Sequence, residues 1–562
     1  MHYIDFIIMA SSIAFIVIYG TYKTKKSKSV QDYIKSGNDA RWWTVGLSVM
    51  ATQASAITFL STPGKAFEDG MGFAQFYFGV PIAMVIICIV FIPLYHRLKV
   101  YTAYEYIEKR FDLKTRTLTA ILFLVQRGIA TGISIFAPAI ILSAVLSWNL
   151  YTLIIVIGIC VTLYTFSGGT RAVNVTQKQQ MAVIFIGMIV AFFIILSYLP
   201  ENINFSNALH IASASEKMNI LDFSFNLENR YTVWSGIIGG TFLSLSYFGT
   251  DQSQVQRYLS GSSIRQSQMG MIFNGLLKVP MQFFILLVGI MVFVFYQFNN
   301  APLNFNPAAE QAVLESKYKN EYTAIQRELS ETFDAKRALI TSLEDSNSKT
   351  APVSLKTEIS KLDKVEKDLR EKARGIIKKA DTSVETNDTD YVFIYFVLNN
   401  LPRGLIGLLL AAIICAAMSS TASELNALAT ITAIDIYKRN TAKGKSEQHY
   451  LKASKIFTLI WGVVAIIVAC IAPLFENLIE LVNIIGSLFY GNVLGIFLLA
   501  FFVKYVKSNA TFIAASITQI IVILGYYYEI MPYLWLNVFG CALVMGIAIL
   551  IQTTPSNTFK RS

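Results

Sequence analysis

Ser419 and Ser420 stand side by side in the apolar run 408–437, LLLAAIICAAMSSTASELNALATITAIDIY, with Asn426, Thr430 and Asp435 after them. Hydroxyls at membrane depth are costly unless they face a protein interior or hold a ligand. Two adjacent hydroxyls near the free carbonyls of an unwound helix suit a small hard cation, which takes oxygen ligands. The same hydroxyls could equally glue packed transmembrane helices together, and this segment alone leaves both readings standing. The second chemical signal is Arg127, about ten residues into a span at ILFLVQRGIATG. An arginine there costs roughly 2.5–3.5 kcal/mol on insertion scales and marks a partner or a pathway. Its planar fork fits a carboxylate, which is either that of a transported solute or that of Glu424 or Asp251.

These residues need elements that bring them together. Residues 49–64, VMATQASAITFLSTPG, place polar groups and a Pro63-Gly64 pair at mid-membrane. Residues 234–256 repeat this character with Gly239-Gly240, Ser244, Ser246, Tyr247, Gly249, Thr250, Asp251 and Gln252. Broken helices survive at that depth only where they line a cavity. Two of them about five spans apart suggest inverted repeats around a central transport site. Candidate walls of that site are Gln53, Ser55 and Thr58 from the first broken segment, Gln75 and Tyr77 from the next span, and Ser244 and Tyr247 from the second. Tyr247, Asn483 and Tyr490 are the gate candidates, the last two lining the outer side.

The chain has 562 residues, 54% hydrophobic and 15% charged, a balance typical of polytopic membrane proteins. About thirteen spans are expected, near 3–21, 42–66, 71–95, 117–147, 150–166, 178–199, 231–256, 268–297, 402–436, 453–474, 477–504, 508–529 and 531–551. The first lacks a basic leader and is followed by Lys23, Lys25, Lys26 and Lys28, so it reads as a span rather than a cleaved signal. The net charge of +11 sits at span ends, as topology signals do, and not in a nucleic-acid surface. The basic clusters, through Lys504 to Lys507 and Lys560-Arg561, fall on one side, which puts the N-terminus outside and the C-terminus in the cytoplasm. The loops near 68–70, 148–149, 475–477 and 530 carry almost no Lys or Arg. The five cysteines lie in apolar runs and match no metal or disulfide pattern.

The organisation expected is an extra N-terminal helix with its basic loop (1–40), a first five-helix repeat (41–200), an outer loop (201–230) and two helices of a second repeat (231–306). A charged helical hairpin (307–388), the remaining helices of the second repeat (389–505) and two terminal helices with a short tail (506–562) follow. In the hairpin, Leu314, Tyr318, Tyr322, Ile325, Leu329 and Phe333 repeat at helical spacing. Leu355, Ile359, Leu362, Val365 and Leu369 do so again after a turn at Asn347 to Pro352. The hairpin is either a partner-binding extension or an insertion with a solvated charged face; any protein partner is unknown.

Together these segments resemble the solute:sodium symporters, a family that includes sodium/glucose, sodium/proline, sodium/monocarboxylate and sodium/sialic acid transporters. The resemblance runs over about 1–300 and 389–530. Its carriers are Ser48 to Gly64, YTAYEYIEKRF at 101–111, Ser167-Gly168-Gly169, TDQSQVQRYLS at 250–260 and SSTASELNALATITAIDIYK at 419–438. It implies an all-α, LeuT-like core of five plus five helices, preceded by one helix and followed by two. It also implies one sodium ion between the first and eighth core helices, held by the carbonyls of Ala51, Ala54 and Ala416 and the hydroxyls of Ser419 and Ser420. Some members have a second sodium site. Its acidic residue and hydroxyl fall here on Gln177 and Ala422, so a single coupled sodium is expected. Arg127 matches the arginine that the sialic acid branch uses for its solute's carboxylate. The sugar carriers' acidic residue falls on Tyr77.

The expected function is therefore sodium-driven symport of a small carboxylated solute by alternating access, in the bilayer of a bacterial inner membrane. A neutral sugar or polyol is the alternative solute, and a transporter-like sensor the alternative class. A membrane enzyme is not expected, because HExxH, GxSxG and a membrane-embedded aspartate pair are missing from the sequence.

Overall fold

The structure is a computed structural model and describes residues 2–24, 40–98, 100, 102–146, 148–226, 229–345, 353–382, 384–471 and 478–554. Lys25, Lys26 and Lys28, the hairpin turn at Asn347 to Pro352, residues 475–477 and Lys560-Arg561 lie outside these residues. Among the described residues the secondary structure is helical apart from one bridge between Ala40 and Gly261. Among the described residues, nine helical stretches are long and apolar enough to cross a membrane.

The first helix, α1 (Tyr3–Thr24), is followed by α2 (Trp42–Gln53) and α3 (Ala56–Asp69), then α4 (Gly79–Ile86), whose helical backbone continues to Leu98. Next come α5 (Tyr104–Arg110), α6 (Leu113–Leu146), α7 (Leu150–Ser197) and α8 (Phe205–Ala214). A wide helical turn at Ser235–Gly239 leads into α9 (Gly240–Thr250), α10 (Gln252–Tyr258) and α11 (Ile264–Phe298). The charged insertion forms α12 (Pro307–Leu314), α13 (Lys319–Asp345) and α14 (Val353–Ala380). The chain ends through α15 (Val392–Asn400), α16 (Leu405–Ile431), α17 (Glu447–Ile471), α18 (Leu478–Phe502), α19 (Ser508–Tyr527) and α20 (Tyr533–Thr553).

The hydroxyl-bearing helix α16 sits at the centre and packs against α1, α2, α3, α6 and α7. Every residue of Ser419–Ile431 is buried, so its polar groups face protein rather than lipid. Its start is pinned by Asp5 of α1, whose Oδ1 accepts from the N–H groups of Gly404 (2.5 Å) and Gly407 (3.2 Å). The carboxylate thus satisfies donors that a helix start leaves open. Gly404 has φ +89°, a backbone region that strongly favours glycine.

Three local expectations are corrected. The first broken segment does not break at Pro63-Gly64, because α3 runs through both residues and the interruption lies at Ala54–Ser55. Gly64 is instead a site of close approach, since a Cβ there would lie 1.9 Å from the Thr389 carbonyl oxygen. The expected spans 150–166 and 178–199 are joined in one helix of 48 residues. Gly168 and Gly169 weaken such a helix by about 1 kcal/mol each, but without a proline between them nothing stops the ladder. In the hairpin, α13 and α14 pack along the expected seam, with Tyr322, Leu329, Phe333, Ile359 and Leu369 buried. Leu314 and Val365 lie outside that seam and are exposed.

Candidate functional site

Two interruptions shape the centre of the bundle, and their backbone carbonyls have different fates. At the first, Ser55 N–H donates to Gln53 O (3.1 Å) and not to Ala51 O. Thr58 N–H donates to Ser55 O (3.0 Å) and not to Ala54 O. The helical ladder therefore leaves the carbonyls of Ala51 and Ala54 unused, at a point packed against α16. At the second, Asp251 turns the chain with extended backbone between α9 and α10. There Tyr95 OH donates to Gly249 O (2.8 Å) and Tyr104 OH to Thr250 O (3.0 Å), so these released carbonyls are filled by side chains of the same molecule.

On α16, Ser420 Oγ donates back to Ala417 O (3.0 Å) and Ala416 O (3.2 Å) and keeps its lone pairs. Ser419 Oγ is buried and makes no hydrogen bond among the described residues. Unused carbonyls on one helix pair and a buried, unengaged hydroxyl on its packing neighbour form a donor set of oxygens, which fits a sodium ion as cargo. Nearby, Gln177 occupies the place expected of an acidic ligand. Its Oε1 accepts from Ser48 Oγ (2.7 Å) and its Nε2 donates to Thr52 Oγ1 (3.1 Å), tying α7 to α2 with a neutral amide.

Beside the first break lies a cavity of about 100 Å³. It gathers nearly all of the residues expected to form the solute site: Gln53, Ser55, Thr58, Tyr77, Arg127, Ser244, Tyr247, Asn483 and Tyr490. Gln75 is the exception. Its Nε2 donates to Tyr231 O (3.0 Å) and its Oε1 accepts from Asp222 N–H (2.9 Å), so it ties down the loop before α9. The long amide side chain finds that loop within reach at the turn preceding α4.

Arg127 is already engaged by two carboxylates. One of its amino groups pairs with Asp251 and the other with Glu424 at 3.1 Å. Tyr490 OH accepts from Arg127 at 2.9 Å, and the guanidinium lies 5.5 Å from the Tyr247 ring centre. All of these groups are buried, apart from a half-buried Tyr247, so each carboxylate offsets a desolvated cation that would otherwise be prohibitive. Arg127 Nε still lacks a hydrogen-bond partner among the described residues.

Lys278 of α11 also lines the cavity and was not singled out in the sequence. It is fully buried, its Nζ makes no hydrogen bond among the described residues, and it lies 6.0 Å from the Tyr77 ring centre. Gln282, one turn further on, donates to Tyr77 OH (2.9 Å) and keeps a buried, unpartnered Oε1. Gln53 Oε1 is likewise buried and unpartnered. The signal for Lys278 was available, since a lysine inside the span 268–297 invites the same question as Arg127.

The profile of the Sodium:solute symporter family matches residues 33–327 and 374–518. The chain belongs to the sodium:solute symporter family. Residues 328–373, between the two matched parts, begin in α13 and end in α14. The chain is 32% identical over 274 residues to the sodium-coupled monocarboxylate transporter 1 of Xenopus laevis, a match spanning 48% of this chain and 43% of that protein. It is 32% identical over 273 residues to the human sodium/iodide cotransporter, spanning 41% of that protein. The chain thus covers less than half the length of these relatives. A sodium/sialic acid symporter from Proteus mirabilis is 23% identical over 547 residues, covering 96% of this chain and 92% of that one. A substrate-bound, outward-open sodium-coupled sialic acid symporter shares the fold, with TM-score 0.75 and 22% identity over 98% of both chains.

Proposed function

We propose that this protein is a sodium-coupled symporter that imports a small carboxylated solute, a sialic acid or a monocarboxylate, together with one sodium ion. The observation that carries the carboxylate is Lys278: a buried amino group without a hydrogen bond, lining the cavity between the two broken helices. Its charged form is costly to bury alone, and an anionic solute relieves that cost. The unpartnered amide oxygens of Gln53 and Gln282 accept from hydroxyl or amide groups on the solute body. They also suit a neutral sugar or polyol, which is the competing solute. Arg127, held by Asp251 and Glu424, braces the wall and offers its free Nε–H.

The sodium ion binds first, bridging Ala51, Ala54 and Ala416 carbonyls with the Ser419 and Ser420 hydroxyls, and so clamps the first break to α16. One ion is expected because the second break's carbonyls are filled by Tyr95 and Tyr104 and because Gln177 is neutral. Solute then enters and the bundle rocks around it, with Tyr247 and Tyr490, 6.0 Å apart between ring centres, forming one aromatic wall of the pocket rather than two opposed gates. With the C-terminus in the cytoplasm, the membrane potential adds about 2.3 kcal/mol per charge per 100 mV to inward sodium movement.

Binding to the purified chain in lipid nanodiscs tests this reading. N-acetylneuraminate or lactate should bind only with sodium and lose at least about tenfold in affinity in Lys278→Ala. Sodium-dependent binding of galactose, with no binding of either acid, would replace the carboxylate by a neutral sugar.

A further inference from the structure

A second cavity, of about 270 Å³, lies under the charged hairpin, away from the central pocket. Its roof is α14, and its floor is made by the ends of α3 and α11, the turn after α8 and the segment around Asp388. Lys364, Lys367, Arg370 and Arg374 follow one another along the cavity side of α14 at helical spacing.

The acidic groups around this cavity are largely spoken for. Asp363 and Glu366 pair with the buried Lys336, at 3.3 Å for Glu366. Glu68 and Asp388 pair with Arg374 at 3.5 and 2.9 Å. Glu216 and Glu371 also line it and are exposed to solvent. Arg370 spends its Nε on Glu366 and one amino group on the carbonyls of Pro302 and Leu303. What remains unsatisfied is one-sided. Arg370 Nη2 and Arg374 Nε are buried donors without a partner among the described residues, and no lining carboxylate oxygen is in that condition. Two orphaned guanidinium N–H groups one helical turn apart call for acceptors, and a carboxylate supplies two on a planar group. The rings of Phe67, Phe293 and Phe305 offer an apolar floor to the rest of the molecule.

We infer that this cavity is a separate binding site for a small organic carboxylate, held by Arg370 and Arg374 of the hairpin with Lys364 and Lys367 at its mouth. The site joins the insertion to the end of α3, whose Glu68 also accepts from Thr389.

Trifluoroacetate is a suitable probe, read by fluorine NMR on the full chain in nanodiscs without sodium, with Lys278→Ala as control for the central pocket. The inference expects saturable binding, unchanged in Lys278→Ala. Binding should weaken at least about tenfold in Arg374→Gln and in the surface double variant Lys364→Glu with Lys367→Glu. Trifluoroethanol, which lacks the charge, should not compete. The double variant changes only exposed groups, so its loss of binding is not a folding artefact. Absence of saturable binding, binding equal in all hairpin variants, loss in Lys278→Ala, or equal competition by trifluoroethanol would each overturn the site.

Discussion

Lys65 of α3 and Glu480 of α18 meet at 2.8 Å, on the side of the bundle that carries the hairpin. Lys65 also pairs with Asp69 at 2.5 Å, and Glu480 accepts from Arg230 (3.1 Å) and Tyr231 (2.8 Å). Pocket residues Thr58 on α3 and Asn483 on α18 lie about two turns and one turn from this pair. The pair thus joins α3 and α18, which both line the pocket, at their hairpin-side ends. Replacing both residues by cysteine and bridging them with a reducible bifunctional thiol reagent should stop uptake, and reductant should restore it. Full uptake by a completely cross-linked protein would show that these ends need not part.

The oxygen set around the first break predicts a selective loss in Ser419→Ala. The substitution removes one unengaged oxygen without a change in packing volume that a core would resist. Apparent sodium affinity should fall about tenfold or more, while the melting temperature without sodium stays within a few degrees. Equal losses of sodium-free stability and sodium affinity would point to a structural hydroxyl instead.

One coupled sodium predicts a Hill coefficient near one for sodium-dependent binding. The neutral Gln177 bridge between Ser48 and Thr52 is the structural counterpart of this value. Paired substitutions Gln177→Asp and Ala422→Ser introduce the charge and hydroxyl expected of a second site. Sodium dependence should then steepen toward two. A steep wild-type curve would contradict the single site.

Asp390, in the segment between hairpin and α15, is buried, and burial raises its carboxyl to about 6. It accepts from Leu478 N–H at the start of α18 (3.1 Å). Its pKa lies above the ordinary carboxylate value, so the folded state takes up a proton before the unfolded chain does. The packed arrangement is therefore favoured as pH falls from above 6 toward 4 and loses that contribution as pH rises through 6. Thermal stability should show this slope in wild type and a flatter profile in Asp390→Asn. An unchanged slope in the variant would assign the titration elsewhere.

At the other end of the bundle, Arg116 pairs with Asp435 (2.6 Å) and Glu108 (2.5 Å), and Thr102 donates to Asp435 (2.8 Å). Asp435 is fully buried. Asp435→Ala should destabilise the protein by about 3 kcal/mol, because it strands part of a buried guanidinium. Asp435→Ala combined with Arg116→Met should recover much of that loss. No recovery would mean that the pair does more than neutralise charge.

Much of the site was legible because membrane burial makes polar residues expensive. Ser419, Ser420, Arg127, Tyr247 and the two broken segments stood out against apolar runs for that reason. Their neighbours were harder to read. Gln75 sits one position from the cavity-lining Phe76 and points to a loop, a direction that depends on the tight turn before α4. The break at Ala54–Ser55 has no glycine or proline, whereas Pro63-Gly64 is helical, because neighbouring helices decide which freed carbonyls are tolerated. The sequence offered Glu424 or Asp251 as partners of Arg127, and the structure pairs it with both, which required three helices to be placed together. Sequence spacing does not supply that placement.

The most direct test of the account is uptake of labelled N-acetylneuraminate and lactate into proteoliposomes with and without an inward sodium gradient, using wild type, Ser419→Ala and Lys278→Ala. Sodium-driven accumulation of one of these acids is expected in wild type, with its loss in both variants. Accumulation that ignores the sodium gradient, or that survives Ser419→Ala unchanged, would contradict sodium-coupled symport through this site.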